Sequence, residues 1–336
     1  MTPLSRALRR LLLVPAIMAI VFMAIAVPSS CASPPEPLVI SYAPFESTAL
    51  MWIAEDERFF ARNGLDMSFR KYDTGAGALD AMLKGEADIT MGTADFPTVG
   101  RAFRKESFRI IGNADKADFI YIIARRDRGI EKVSDLKDKK VGTTLGTVAH
   151  FHLGRFLNLN GLSIEDVQLV DLKTPAEWVD AVAVGDVDAI ATAQPYAKAA
   201  RDAVGDNAVF WMAQSSQPVF GLIVSRQEWV EGHPELVTRF LKSLAQAEEY
   251  LTRNPAKAKT IVQERLNLDA AYVEKFWSQN QFGLSLDQSL IAAMEDEARW
   301  MINNGLTTEK QVPDFLDYIH EDELKALKPD AVNIIR

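Results

Sequence analysis

Gly85-Glu86-Ala87-Asp88, followed by Ile89, and Gly185-Asp186-Val187-Asp188, followed by Ala189-Ile190, are two copies of one signal. In each, a short helical stretch stops at a glycine and a strand begins within a few residues, because glycine accepts the left-handed conformation that ends a helix. Each copy has a matching start upstream, Asn63-Gly64-Leu65 and Asn160-Gly161-Leu162, and a proline downstream, Pro97 and Pro195. A unit repeated in this way predicts two similar α/β lobes, and two facing lobes make a cleft.

Around the first copy, Leu38 to Tyr42 reads as a strand. A helix with candidate caps Ser47 and Thr48 follows, its apolar positions Leu50, Ile53, Ala54 and Phe60 at helical spacing. Leu65, Met67 and Phe69 alternate with polar residues as a half-buried strand does, and Ala76 to Lys84 forms the next helix. Strand and helix in alternation imply a parallel sheet with helices on its faces. The second lobe opens at Val141, continues into a helix over Val148 to Leu159 and a strand over Val167 to Leu172, and has a capping box at Thr174-Pro175-Ala176-Glu177. Val219 to Val224 is a further strand, and beyond it the pattern is helical to the end, with helices expected to pack on the first lobe. The chain then crosses between lobes near Tyr121 to Arg125 and near Phe220 to Val224. That assigns 38–123 with 222–336 to lobe 1 and 124–221 to lobe 2, joined by a two-strand hinge.

Residues 1–31 read as a removable export leader: Arg6, Arg9 and Arg10, an apolar run from Leu11 to Val27, then Ser29-Ser30-Cys31. Cys31 is the only cysteine, and its position suggests lipid attachment after cleavage; the alternative is cleavage after Ala32, which would discard it. Residues 32–37, rich in proline, read as a stiff tether. Removing the leader's three arginines takes the net charge from −9 to −12, since it holds no acid, and this balance argues against nucleic acid as a partner.

Catalytic signatures are absent: no G-x-S-x-G, no H-E-x-x-H and no Walker loop occur. His150 and His152, two apart on a helix, point to different faces, and no metal or cofactor is expected; His150 reads as solvated, as do the acids Glu295-Asp296-Glu297. The candidate binding surface is the set of loops after the strands, where ligands of open α/β sheets sit near helix N-termini. These loops contribute Tyr42, Phe45, Ser47, Thr48, Tyr72, Thr74, Gly75, Thr93, Asp95, Phe96, Gly146, Thr147, Gln194 and Tyr196, with hardly any Lys or Arg. A helix terminus contributes about 0.3 to 2 kcal/mol whereas micromolar binding needs about 8, so an aromatic-lined burial of the ligand's body must supply the rest. Carboxylates in these loops, Asp73 and Asp95, favour a ligand with an amine or ring N–H.

In the order and spacing of Ile40-Ser41-Tyr42, Asn63-Gly64-Leu65-Asp66, Ala81 to Asp88, Val133-Ser134-Asp135-Leu136-Lys137, Gly185 to Ala189 and Gln194-Pro195-Tyr196, the chain resembles the nitrate, sulfonate, taurine and thiamine-precursor family of periplasmic solute-binding proteins. The resemblance implies the type II periplasmic-binding fold, two Rossmann-like lobes closing by hinge bending. It also implies a monomer without catalysis that delivers its solute to a permease and, through it, to an ATPase. A ligand-sensing accessory protein and a pyrimidine-biosynthetic enzyme are the alternatives on the same fold. The ligand class stays open among sulfonate or taurine-like, amine-bearing and pyrimidine-like solutes.

Overall fold

The computed structural model describes residues 34–214 and 217–336; the expected leader and the lipid site at Cys31 lie outside them. The strands are β1 (Glu36–Tyr42), β2 (Leu65–Lys71), β3 (Ile89–Thr93), β4 (Phe108–Ala117), β5 (Ile120–Arg125), β6 (Lys140–Thr143), β7 (Gln168–Asp171), β8 (Ala189–Ala193), β9 (Ala208–Met212), β10 (Val219–Arg226) and β11 (Asn280–Ser285). The first-lobe helices before the crossing are α1 (Ala49–Asp56), α2 (Phe59–Arg62), α3 (Gly75–Leu83) and α4 (Asp95–Phe103), and the second lobe holds α5 (Val148–Leu159), α6 (Pro175–Val184) and α7 (Tyr196–Val204). After the return come α8 (Gln227–Gly232), α9 (Pro234–Arg253), α10 (Pro255–Leu266), α11 (Ala270–Phe276), α12 (Gln288–Asn303) and α13 (Asp322–Leu327).

Two sheets result, ordered β11-β4-β10-β3-β1-β2 and β7-β6-β8-β5-β9. In the first, β1 pairs in parallel with β2 and β3; in the second, β6 pairs in parallel with β7 and β8. Each sheet then accepts, antiparallel, the strand that has just crossed from the other: β5 beside β8, β10 beside β3. The duplication read from the sequence is therefore a duplication of sheet order.

The repeated aspartates explain why the motif recurs. Asp88 Oδ2 accepts the Val39 N–H at 2.8 Å, and Asp188 Oδ2 accepts the Lys140 N–H at 3.0 Å. Each carboxylate thus ties the end of one helix to a parallel strand of its own sheet, β1 or β6. The preceding glycines, Gly85 at φ +80° and Gly185 at φ +86°, supply the left-handed turn that brings it there.

Several boundaries differ from the expectation. β5 lies wholly in the second sheet and β10 wholly in the first, so the crossings fall at 118–119 and 213–218, earlier than 123/124 and 221/222. The reason is pairing: each strand is hydrogen-bonded on both sides in its new sheet and has no capacity left to bridge. Residues 36–37 of the expected tether are strand, Glu36 donating to Gly64 O at 2.9 Å. The helical C-terminal region contains β11, which adds to β4. Of its helices, α11 does not confine itself to the first lobe: Tyr272, Val273 and Phe276 pack with Tyr121, Trp178 and Ile190 of the second.

Gln214 staples the crossings to each other. Its Oε1 accepts the N–H groups of Phe119 (2.6 Å) and Ile120 (2.8 Å), while its Nε2 donates to Ala117 O (3.0 Å) and Gln217 O (3.2 Å).

The lobes are closed on each other, and one apolar core runs from sheet to sheet. On the side of α4, α5 and α12, Phe96 stacks on Phe151 (centroids 5.4 Å), Trp300 meets Phe151 edge-on (5.5 Å), and Arg155 pairs with Asp296. Gly154 lies so near Trp300 that a methyl group there would collide with the indole.

Because the two aspartates each satisfy a strand N–H, Asp188→Ala is expected to cost about 1–3 kcal/mol in a denaturant titration. Asp186→Ala, exposed and two residues away, should change stability by less than about 0.5 kcal/mol. Equal effects would show that the tie is not what stabilises the second sheet.

Candidate functional site

A cavity of about 70 Å³ lies between the sheets, room for roughly five waters at the 10–15 Å³ each requires. The first lobe lines it with Phe45 and Ser47 from the turn after β1, Thr74 to Ala76 at the start of α3, and Ala94 and Pro97 around the start of α4. The second supplies Thr144, Thr147 to Ala149 at the start of α5, Trp178 of α6, and Ala191 to Ala193 of β8. Asp115, Phe119, Ile120 and Val219 to Gly221 close it beside the crossings.

Helix starts from both lobes thus face one space. Thr74 caps α3 by accepting the Gly77 N–H at 3.1 Å, and its equivalent in the repeat, Thr174, caps α6 by accepting the Glu177 N–H at 3.3 Å. The free N–H groups of a helix's first turn carry partial positive charge and suit an anionic or strongly accepting group. No Lys or Arg is among the described residues lining the cavity, and Asp115 is the one ionisable side chain there.

The expected site residues divide. Phe45, Ser47, Thr74, Gly75 and Thr147 line the cavity. Tyr196 borders it, its ring edge-on to Phe45 (6.1 Å) and to Trp178 (5.2 Å). Others shape the wall from behind. The Thr93 hydroxyl donates to Gly75 O (3.0 Å), that of Thr48 donates to Phe45 O (2.8 Å), and Gln194 Oε1 accepts the Lys198 N–H at the start of α7 (3.1 Å). Gly146, at φ +77°, turns the chain into α5 and donates to His150 Nδ1 at 3.4 Å. Tyr42 packs edge-on against Trp52 (5.1 Å), and Tyr72 donates to Glu86 at 3.1 Å on the surface. Asp73 is exposed, and Phe96 lies in the interlobe stack already described.

Asp95 does not line the cavity; it is fully buried and faces Glu297 of α12, which is fully buried too. Burial pushes the Asp95 carboxyl up to about 7, and Glu297 is held well above the usual range by burial and by the charge of Asp95. Glu297 is therefore not a solvated helix residue as its acidic neighbours suggest. His150 also departs from the solvated reading. His150 and His152 are both buried because α5 is covered by a sheet on one side and by α4 and α12 on the other; burial lowers them to about 4 and about 3, so both are neutral near pH 7.

Sequence reasoning missed Asp115 and Trp178. Trp178 donates its indole N–H to Thr144 Oγ1 (2.9 Å) and Leu172 O (3.1 Å), which fixes its ring on the cavity wall. Aligning the repeats would have flagged it, since Thr74 and Thr174 cap equivalent helices and Trp178 stands one turn inside the second. Asp115 lies within a strand and carries no local signal.

A two-lobed α/β fold with helix starts converging on an interlobe space defines the class of periplasmic solute-binding folds. The family model described as NMT1/THI5 like matches residues 46–258, and the chain belongs to that family. A Brucella abortus (strain 2308) protein named for binding, without a ligand in its name, is 27% identical over 248 residues, 71% of this chain and 74% of that one. The taurine-binding periplasmic protein of Escherichia coli (strain K12) is 25% identical over 206 residues, 60% of this chain and 62% of its own. Among solved structures, the alkanesulfonate-binding protein SsuA from Xanthomonas axonopodis pv. citri, bound to MOPS, superposes with a TM-score of 0.72 at 21% identity, covering 86% of this chain and all of the other. The desulfurization enzyme DSZB shares the fold as well (TM-score 0.62, 17% identity, 87% and 98% covered).

The Asp95–Glu297 pair sets a pH dependence of stability. The unfolded chain releases these protons near the ordinary carboxylate value of about 4. The folded chain keeps them to about 7 or above. It therefore holds more protons than the unfolded chain between those values, and stability falls as pH rises through the window. Glu297→Gln should raise the melting temperature relative to wild type at pH 8 and much less at pH 5. A pH-independent difference would show that the pair does not titrate as a buried unit.

Proposed function

We propose that the chain is the exported receptor of an ATP-driven importer. On this reading it acts as a monomer, captures a small organic solute of the sulfonate or taurine kind between its lobes, and hands it to a membrane permease. The observation that carries the reading is the cavity between two repeats, onto which helix starts from both lobes converge without a basic side chain. Membership of the NMT1/THI5-like family and relatives named for taurine and alkanesulfonate binding point the same way. Phe45, Trp178 and Tyr196 offer apolar faces for the body of the solute; Ser47, Thr74, Gly75 and Thr147 offer hydrogen bonds to its acidic head. Closure by hinge bending would bury the solute, and Cys31 would hold the receptor to the outer face of a membrane by a lipid.

Isothermal calorimetry with ethanesulfonate, taurine and MOPS, joined to solution scattering, tests the reading. At least one is expected to bind with a micromolar Kd and to shrink the radius of gyration. The absence of binding at millimolar concentration for all three would overturn it. Closure has its own check. Because a Cβ at position 154 collides with Trp300 across the lobes, Gly154→Ala should weaken ligand binding about tenfold or more and abolish the contraction in scattering, while circular dichroism stays that of the wild type. Full affinity and contraction in this variant would show that the lobes need not meet there.

Anchoring is tested by fractionation. Cys31→Ala should move the protein from the membrane to the soluble fraction, whereas cleavage after Ala32 would leave its distribution unchanged.

A further inference from the structure

The wall of the cavity beside the crossings carries one buried acid, Asp115, with a second, Glu46, near it and no countercharge. Asp115 of β4 is 1% exposed and Glu46, in the turn after β1, 9%. Neither makes an ion pair among the described residues. Lys116, the neighbouring cation on β4, is engaged with Asp287 at 2.5 Å and lies over the Phe220 ring. Asp115 Oδ1 accepts the Gln281 N–H at 3.0 Å, and Glu46 accepts the Tyr272 hydroxyl. Gly221 separates Asp115 from Ser47 with nothing but backbone: a Cβ there would come within 2.8 Å of Ser47 Cβ and 3.3 Å of Asp115 Cβ. That bareness lets a carboxyl and a hydroxyl converge on one end of the cavity.

We propose that Asp115, backed by Glu46, selects a solute that carries a cationic nitrogen. The nitrogen lies against Asp115, and the acidic or polar end of the solute lies toward the starts of α3 and α5. This rests on the reading of the cavity as the ligand site and narrows its ligand class to amines and zwitterions. A buried carboxylate without a partner is costly, and a buried ammonium offsets that cost only if it reaches the carboxylate directly. An anion without an amine would meet the acid wall with nothing to offer it.

The titration of the wall gives the inference a sign. Burial and the adjacent Glu46 carboxyl push Asp115 well above the usual range, while Glu46 is raised by burial and partly drawn back by Tyr272. The other titratable or charged groups facing this end are Tyr272 of α11, Tyr121 of β5, Tyr196 of α7 and the paired Lys116 of β4 itself. β10 and β11 contribute none: Val219 to Gly221 and the Gln281 N–H are uncharged. An arriving cation favours the ionised acid, so binding releases a proton and tightens as pH rises. A protonated Asp115 donating to a sulfonate oxygen would do the reverse, and binding would weaken as pH rises.

The test is calorimetry on the whole mature chain with taurine, ethanesulfonate and ethylamine, in buffers of differing ionisation heat, for the wild type, Asp115→Asn and Glu46→Gln. Taurine should bind about tenfold or more tightly than ethanesulfonate, with proton release; Asp115→Asn should erase that ratio and the release, chiefly by weakening taurine. If Asp115→Asn fails to fold, Glu46→Gln is read for the same ratio, which it should reduce. Ethanesulfonate binding as tightly as taurine, or a ratio untouched by the substitution, overturns the inference and leaves the sulfonate reading standing. Ethylamine bound in an Asp115-dependent way without either sulfonate supports the inference and, if MOPS also fails to bind, overturns the sulfonate reading. If none of the three binds, the inference is overturned, and the sulfonate reading with it if MOPS fails to bind as well.

Discussion

One amide side chain holds the two passages of chain between the sheets against each other. Gln214 accepts from the backbone of Phe119 and Ile120 in the outgoing passage and donates to Gln217 O in the returning one. Strands β5 and β10, on arrival, are each inserted between two neighbours of their new sheet. What is placed between the sheets is placed relative to this point. Asp115, Phe119, Ile120 and Phe220, which close the cavity, all lie within a few residues of it.

The cavity's chemistry follows from what the two repeats have in common and where they diverge. Both end a sheet strand next to a helix start, so both turn backbone N–H groups toward the shared space. Thr74 and Thr174 occupy equivalent caps, yet the first repeat continues with Gly75-Ala76-Gly77-Ala78 and the second with Pro175-Ala176-Glu177-Trp178. The small residues admit a ligand close to the backbone in one lobe, and the tryptophan supplies a flat apolar wall in the other. A duplicated scaffold has become a site with two unlike sides.

The parts legible in the sequence are those set by local rules. Helix α5 begins and ends where Thr147 and Asn160 imply, and the glycine stops with their aspartates announce both sheets. Phe45, Ser47, Thr74, Gly75 and Thr147 could be read because each stands in a loop leading into a helix. Asp115 could not, because it is an interior residue of β4 whose exposure to the cavity depends on β10 and on the bare Gly221 more than a hundred residues later. β11 escaped for a related reason: Asn280-Gln281-Phe282-Gly283-Leu284-Ser285 has too few apolar residues to alternate clearly, and its strand character comes from pairing with β4. Glu297 and His150 look solvated in a one-dimensional pattern, and only the packing of α5 under α4 and α12 buries them.

Helix α11 follows the return to the first lobe, yet its apolar residues rest on Tyr121 and Trp178 of the second, and its Tyr272 reaches back to Glu46 of the first. It is a third attachment beside the two crossings, bound without covalent continuity. A pair of bodies joined along one line can rotate about it; an attachment at a point off that line resists that rotation. Swinging the lobes apart therefore has to lift α11 from its apolar seat or break the hold of Tyr272 on Glu46, so α11 acts as a latch on the door.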